Sequence, residues 1–304
     1  MPLHAVITGA SGFIGAAAAT DLLASGHKVT ALLRPDSNPT RLQHLPNLHI
    51  LHHSNLADPE TIAALKATSP DVFIHCAWRG VGGQDRNEAF QITDNIRMSM
   101  DSVDLAAAAG CHRWIGLGSQ AEYGNQNRRL NEDAPTLPTT LYGKAKLATG
   151  IACLALAEAR GLSAAWLRVF STYGPGDSPH WFLQYALREF RAGKSPDLTL
   201  CTQLWDFLHV NDAARAISAT ATAATPTASG NFNLGSGAAL PLRFWLDLLR
   251  SATNSSSEPN YGAVPFRPDQ VMHLEADISK LTAATGWQPV ISPADGIATL
   301  ANSP

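Results

Sequence analysis

Cysteines are few and none lie close together. Cys76, Cys111, Cys153 and Cys201 are scattered along the chain. Neither a disulfide framework nor a Cys-x-x-Cys metal or redox motif is expected, and buried free thiols in a reducing compartment are. Charge is scarce too: 15% of residues are charged, and the formal net charge is −3. That balance gives no electrostatic footprint for nucleic acid. No apolar run nears the ~20 residues that span a bilayer, and the amino-terminal stretch lacks the basic leader of a secretion signal. A cytoplasmic protein without membrane contact is the expectation. His49, His52 and His53 cluster without the carboxylate or cysteine spacing of a metal site, so no metal is expected. No internal repeat is found. What abounds is apolar: 45% of 304 residues are hydrophobic. That is enough for a sizeable core in one large or two smaller domains, and it suits a parallel sheet covered on both faces.

The stretch Leu3 to Gly15, LHAVITGASGFIG, organises the rest. A short apolar strand enters a helix through Gly9, Gly12 and Gly15. The first glycine allows a tight turn, the second lets a pyrophosphate approach the backbone, and the third lets helix and sheet pack closely. The helix start then offers unpaired N–H groups and a partial positive charge to phosphates. Gly26 is the expected helix cap, with KVTALLR as the second strand.

Strand and helix patterns alternate after that: LHILHH, a helix from about Pro59 to Ala67, DVFIHCAW, a long helix closed by Gly110, and HRWIGLGS. A helix from Tyr142 closed by Gly161 and the strand SAAWLRVF follow. This predicts an α/β fold with a doubly wound parallel sheet whose strand C-termini share one ligand-binding edge. Beyond Phe170 the texture turns to loops and shorter elements, with a helix near Phe182–Ala192 and a low-complexity stretch over 219–230 read as a helix end plus surface loop.

TGASGFIG resembles the Thr-Gly-x-x-Gly-x-x-Gly fingerprint of the extended short-chain dehydrogenase/reductase family, which includes nucleotide-sugar epimerases, dehydratases and ketoreductases. The resemblance implies a Rossmann-type dinucleotide-binding domain over 1–168 plus about 204–234. A smaller substrate-binding domain over about 169–203 and 235–304 and a homodimer go with it. It also implies cofactor contacts from Gly9, Ser11, Gly12, Phe13, Ile14 and Gly15, from Asn55 and Leu56 (where relatives carry Asp-Leu), and from Ala77.

The second strand ends at Arg34, followed by Pro35 and Asp36. A guanidinium there suits the 2′-phosphate of NADP, worth roughly 1.5–3 kcal/mol as a charge-assisted hydrogen bond. Asp36 on a ribose hydroxyl is the alternative, so NADP(H) is expected with NAD(H) still open. Lys28 and Arg41 are further cations with no assigned part.

Tyr142 and Lys146 stand four residues apart, on one helix face. A phenol with a pKa near ~10 is a poor base but a usable acid at neutral pH, and a nearby ammonium favours its phenolate. Tyr142 then protonates a carbonyl oxygen or deprotonates an alcohol as hydride is exchanged. Ser119, in GSQAEYG, matches the family's catalytic serine, which holds that oxygen, and Asn95 matches its asparagine on the preceding helix. The resemblance adds Lys146 on the cofactor ribose. Tyr123 is a competing phenol without a lysine four residues on.

Later motifs resemble the nucleotide-sugar branch: Arg168 to Gly176, Asp206 to Asp212, Asn231 to Gly235 and Phe266-Arg267-Pro268. Arg267 is the expected partner of a substrate diphosphate, with a loop-packing role as its alternative. Ser171 stands where many relatives carry Asn, and Trp205 where they carry Arg. The loop WRGVGGQDRNE places Trp78 and Arg79 towards the sugar and reads as a glycine-hinged flap, though Trp78 also suits a core. The favoured reading is NADPH-dependent reduction of the C4 keto group of a nucleotide-linked 4-keto-6-deoxyhexose. An NAD-dependent 4-epimerase and a non-catalytic NADP-sensing protein are the alternatives.

Overall fold

The computed structural model describes residues 2–224 and 228–303, so part of the low-complexity stretch, 225–227, lies outside the described residues. Seven parallel strands form the main sheet: β1 (His4–Thr8), β2 (Lys28–Leu33), β3 (His49–His52), β4 (Val72–His75), β5 (Arg113–Ser119), β6 (Ser163–Val169) and β7 (Gly230–Leu234). Their order is β7-β6-β5-β4-β1-β2-β3. The order reverses between β1 and β4, which opens a crevice at their C-terminal ends.

Strand periodicity explains the continuous apolar runs. Ala5 and Ile7 of β1 face one core and Val6 the other; Val72 and Ile74 of β4 are likewise opposed by Phe73. The longer helices are α1 (Phe13–Ala24), α2 (Pro59–Lys66), α3 (Asn95–Ala109), α4 (Leu141–Ala159), α5 (Phe182–Arg191), α6 (Val210–Thr222), α7 (Leu242–Ala252) and α8 (Pro293–Ala301). Residues of α1 and α6 cover one face of the sheet, and residues of α2, α3 and α4 the other. The remaining three helices share a separate core through Leu187, Phe190, Trp245, Leu249, Ile297 and Leu300.

The later segments are not confined to that second core. Leu281 and Trp287 pack into the core of α1 and α6. Asp212 of α6 accepts from the amides of Val290 and Ile291. Asp206 accepts from the amides of Ser236, Gly237 and Ala276, tying the turn after β7 to the strand His273–Ala276. No helix of the described residues is long and apolar enough to cross a membrane.

Two buried polar arrangements cross this apolar interior. In the first, Thr8 Oγ1 meets His75 Nδ1 at 2.8 Å, His75 Nε2 meets Ser99 Oγ at 3.1 Å, and Ser99 donates to the Asn95 carbonyl at 2.8 Å. Ser99 therefore accepts from Nε2–H, and Nδ1 accepts from Thr8. Burial, with Lys146 nearby, lowers the His75 pKa to about 3. In the second, Glu122 Oε2 accepts from Arg168 Nε at 2.8 Å with both side chains buried. Arg168 also donates to the Tyr123 hydroxyl, which donates to Asn233 Oδ1 at 2.6 Å.

Both arrangements have measurable consequences. An unfolded His75 takes up a proton below pH 6.5 that the folded one, with its pKa near 3, refuses. Stability should therefore fall as pH drops from 6.5, by roughly 3 kcal/mol at pH 4. Urea melts at both pH values should show a shallower loss in His75→Gln, and parallel losses would refute this. Arg168→Met leaves Glu122 buried and unpaired, which costs about 3–5 kcal/mol. The double variant Glu122→Gln/Arg168→Met should recover part of that loss in the same melts.

Candidate active site

The end of β1 meets the end of β4 so closely that only glycine fits. Gly9 has φ +66°, and a Cβ there would lie 2.6 Å from the Ala77 amide nitrogen. At Gly15 a Cβ would collide with the Gly9 carbonyl oxygen. The turn closes with Gly12 N–H donating to Gly9 O at 2.9 Å. Helix α1 starts there with no side-chain cap and no acidic residue in its first turn. Its first N–H groups are open to an anion, so this cradle fits the pyrophosphate of a dinucleotide.

Arg34 lies just past β2, exposed, 3.4 Å from exposed Asp36. Arg41 donates to the Ser11 carbonyl at 3.1 Å and to the Gly176 carbonyl at 2.8 Å, which joins the glycine turn to the loop after β6. Leu56 is buried. Asn55 accepts from the Ala57 amide at 3.1 Å, so its side-chain oxygen already serves the turn into α2.

Ser119 ends β5 in register with Val169 of β6. Its Oγ accepts from the Ala121 amide, and its own N–H donates to Glu122 Oε1 at 2.9 Å. The same oxygen takes the Trp166 indole N–H at 2.9 Å. Tyr142 and Lys146 enter from the first turns of α4, both buried. Burial raises the Tyr142 pKa, while the neighbouring Ser119 side chain and the Arg86 charge lower it. Lys146 Nζ donates to the Leu117 carbonyl at 2.7 Å and stands 3.6 Å above the Trp78 ring. Burial brings its pKa down to about 7 against the opposing pull of Glu122 and Cys76. A serine, a phenol and an ammonium thus meet at the edge where Gly9 and Ala77 approach.

The flap after β4 is folded onto this set. The Trp78 ring meets the edge of Tyr142 at 6.0 Å, and its indole N–H donates to Gln91 at 2.9 Å. The Arg86 carbonyl accepts from the Tyr142 amide at 2.8 Å, and Asn87 Oδ1 accepts from the Leu141 amide at 3.1 Å, so flap residues cap α4. The Arg86 guanidinium stands 5.2 Å from the Tyr142 ring centre.

Several expected site residues are engaged elsewhere. Asn95, expected among the catalytic set, has its amide saturated by the flap: Oδ1 accepts from the Arg79 N–H, and Nδ2 donates to the Arg79 carbonyl and to Gln91. Arg79, expected to face the sugar, turns to Asp94 at 2.8 Å and over the Phe90 ring. Ser171 accepts from the Trp205 indole at 2.7 Å, so the two positions that depart from the family pattern are paired with each other. Arg267 is exposed, 4.0 Å from Asp269. Sequence reasoning missed Arg86, Asn87 and Glu122. The flap and GSQAEYG were visible as stretches, but which side chains in them reach the phenol and the serine depends on distant partners.

The chain matches the model of the NAD dependent epimerase/dehydratase family over residues 5–235. It is 26% identical to UDP-glucose 4-epimerase of Mycolicibacterium smegmatis, covering 97% of this chain and 96% of that one. It is also 26% identical to dTDP-6-deoxy-L-talose 4-dehydrogenase (NAD(P)(+)) of Kitasatospora kifunensis, over 95% and 91% of the two chains. Among solved structures, UDP-glucuronic acid 4-epimerase from Bacillus cereus, in complex with UDP-glucuronic acid and NAD, superposes with a TM-score of 0.83. That structure is 22% identical over 99% of this chain and 98% of its own. With its glycine cradle and Ser–Tyr–Lys cluster on a seven-stranded parallel sheet, the chain belongs to the NAD dependent epimerase/dehydratase family.

Proposed function

We propose that this protein reduces the C4 keto group of a nucleotide-linked 4-keto-6-deoxyhexose with NADPH. The observation that carries the reading is the burial of Tyr142 and Lys146 side by side, the ammonium 5.9 Å from the phenol ring, next to Ser119 at the edge where the glycine cradle opens. The cradle of Gly9, Gly12 and Gly15 would hold a nicotinamide cofactor, which would supply the hydride when bound. Tyr142 Oη then donates its proton to the carbonyl oxygen, while Ser119 Oγ holds that oxygen in place. Lys146 adds positive charge beside the phenol below about pH 7. Glu122 is not available as a further acid or base, because both its oxygens are engaged by Ser119, Trp166 and Arg168. That favours a single proton and hydride exchange over elimination of water.

Arg34 supports NADPH. Its present partner, Asp36, is exposed, and such pairs are worth about 0–1 kcal/mol. A forked contact to a 2′-phosphate is stronger, so Arg34 would leave Asp36 for it. A second reading, a nucleotide-sugar 4-epimerase, needs the same residues and is favoured by the 4-epimerases among the similar proteins.

Two measurements decide these points. Calorimetry should show tighter binding of NADPH than NADH, with the difference lost in Arg34→Ala; equal affinities in the wild type would remove the cofactor claim. Absorbance at 340 nm should report NADPH consumption with 4-keto-6-deoxy sugars, falling ~100-fold or more in Tyr142→Phe at unchanged folding. Tightly held NAD, with interconversion of 4-hydroxy sugars and no net NADPH loss, would establish the epimerase instead.

A further inference from the structure

We propose that Arg86 is an electrostatic positioning residue for Tyr142, a positive charge that the flap holds beside its phenol ring. The proposal rests on the reading of Tyr142 as proton donor. Arg86 is half-buried on the flap, and its guanidinium carbon lies 5.2 Å from the Tyr142 ring centre. Its Nε is buried without a hydrogen-bond partner, and its side chain forms no ion pair among the described residues. The flap carboxylates Asp85 and Glu88 make no salt bridge with it among the described residues. Its backbone is locked as well, since the Arg86 carbonyl caps the Tyr142 amide at 2.8 Å.

The charges around Tyr142 show why a second cation matters. Lys146, on the same helix, lies 5.9 Å from the ring, but its ammonium titrates at about 7. Above neutral pH it no longer supplies a full charge. Glu122, on the turn after β5, pushes the phenol the other way, and its own charge is matched by Arg168. Beneath Lys146, Cys76 stays a neutral thiol, with a pKa pushed up to about 12, and His75 stays neutral, with one of about 3. A guanidinium keeps its charge throughout this range. Arg86 is thus the cation whose pull on Tyr142 does not fade as pH rises. Like any positive charge beside a phenol, it favours the phenolate and lowers the pKa.

The test follows the phenol itself and needs neither substrate nor cofactor. The protein is labelled with 3-fluorotyrosine, which acidifies the phenol and brings its titration into the range where the fold persists. Tyr142 is one of five tyrosines, and its ¹⁹F resonance is assigned by its absence from Tyr142→Phe. Arg86→Met should raise the Tyr142 midpoint by about one pH unit, a tenfold smaller phenolate fraction at a given pH. Arg86→Lys, which keeps the charge, should restore most of the wild-type midpoint. Coincident midpoints in wild type and Arg86→Met would overturn the proposal. So would an equal shift in both variants, which would make the effect one of flap geometry rather than charge. A raised KM with an unmoved midpoint would make Arg86 a substrate contact and also overturn it. Failure of the wild type to reduce any 4-keto sugar would count against the proposed reaction alone, because the NMR shift does not depend on turnover.

Discussion

One buried carboxylate holds the reactive edge of this protein in place. Glu122 takes the Ser119 amide, the Trp166 indole and the Arg168 guanidinium, and so joins the end of β5 to β6. Arg168 carries the connection to Tyr123 and Asn233, and Asn233 N–H donates to Glu132, beyond the strand Arg128–Leu130. A buried charge is tolerable only when its lone pairs are occupied, and here they are. The arrangement also needs room. A Cβ at Gly118 would collide with both the Trp166 indole and the Glu122 carboxylate, so a glycine near the end of β5 permits the contact.

This network makes the serine rigid and leaves the charges at the phenol to be set by burial. Lys146 sits against the Trp78 face with only a carbonyl as hydrogen-bond acceptor, and desolvation lowers its pKa. The same desolvation raises that of Tyr142. Burial thus weakens the cation that should help and makes the acid more reluctant. The flap brings a further positive charge beside the same ring through Arg86.

The flap joins the segment before α3 to the start of α4. Asn95 and Gln91 hold its base through Arg79, Gly80 and Trp78, while Arg86 and Asn87 cap the Tyr142 helix. On the other side of the crevice, Arg41 bridges the glycine turn to the loop after β6, and Trp205 closes on Ser171. The two departures from the family pattern, Ser171 and Trp205, are one feature in space, an indole bonded to a hydroxyl.

The sequence by itself determined the parallel sheet, the helices that alternate with it and the glycine turn. These depend on local signals: apolar runs of strand length, glycines at helix ends and a Cβ-free turn between β1 and α1. It also determined that Tyr142 and Lys146 share a helix face, since four residues span about one turn. Tertiary structure decided which side chains reach them. The Asn95 amide was legible as a polar group on a helix, but only the folded flap shows it bonded to Arg79. Arg41 reaches Gly176 across 135 residues, a pairing that no local pattern encodes. The charge states at the site were likewise settled by tertiary structure. Desolvation depends on what covers a group, and the cover over Lys146 and Tyr142 comes from Trp78 and Arg86, carried there by chain closure.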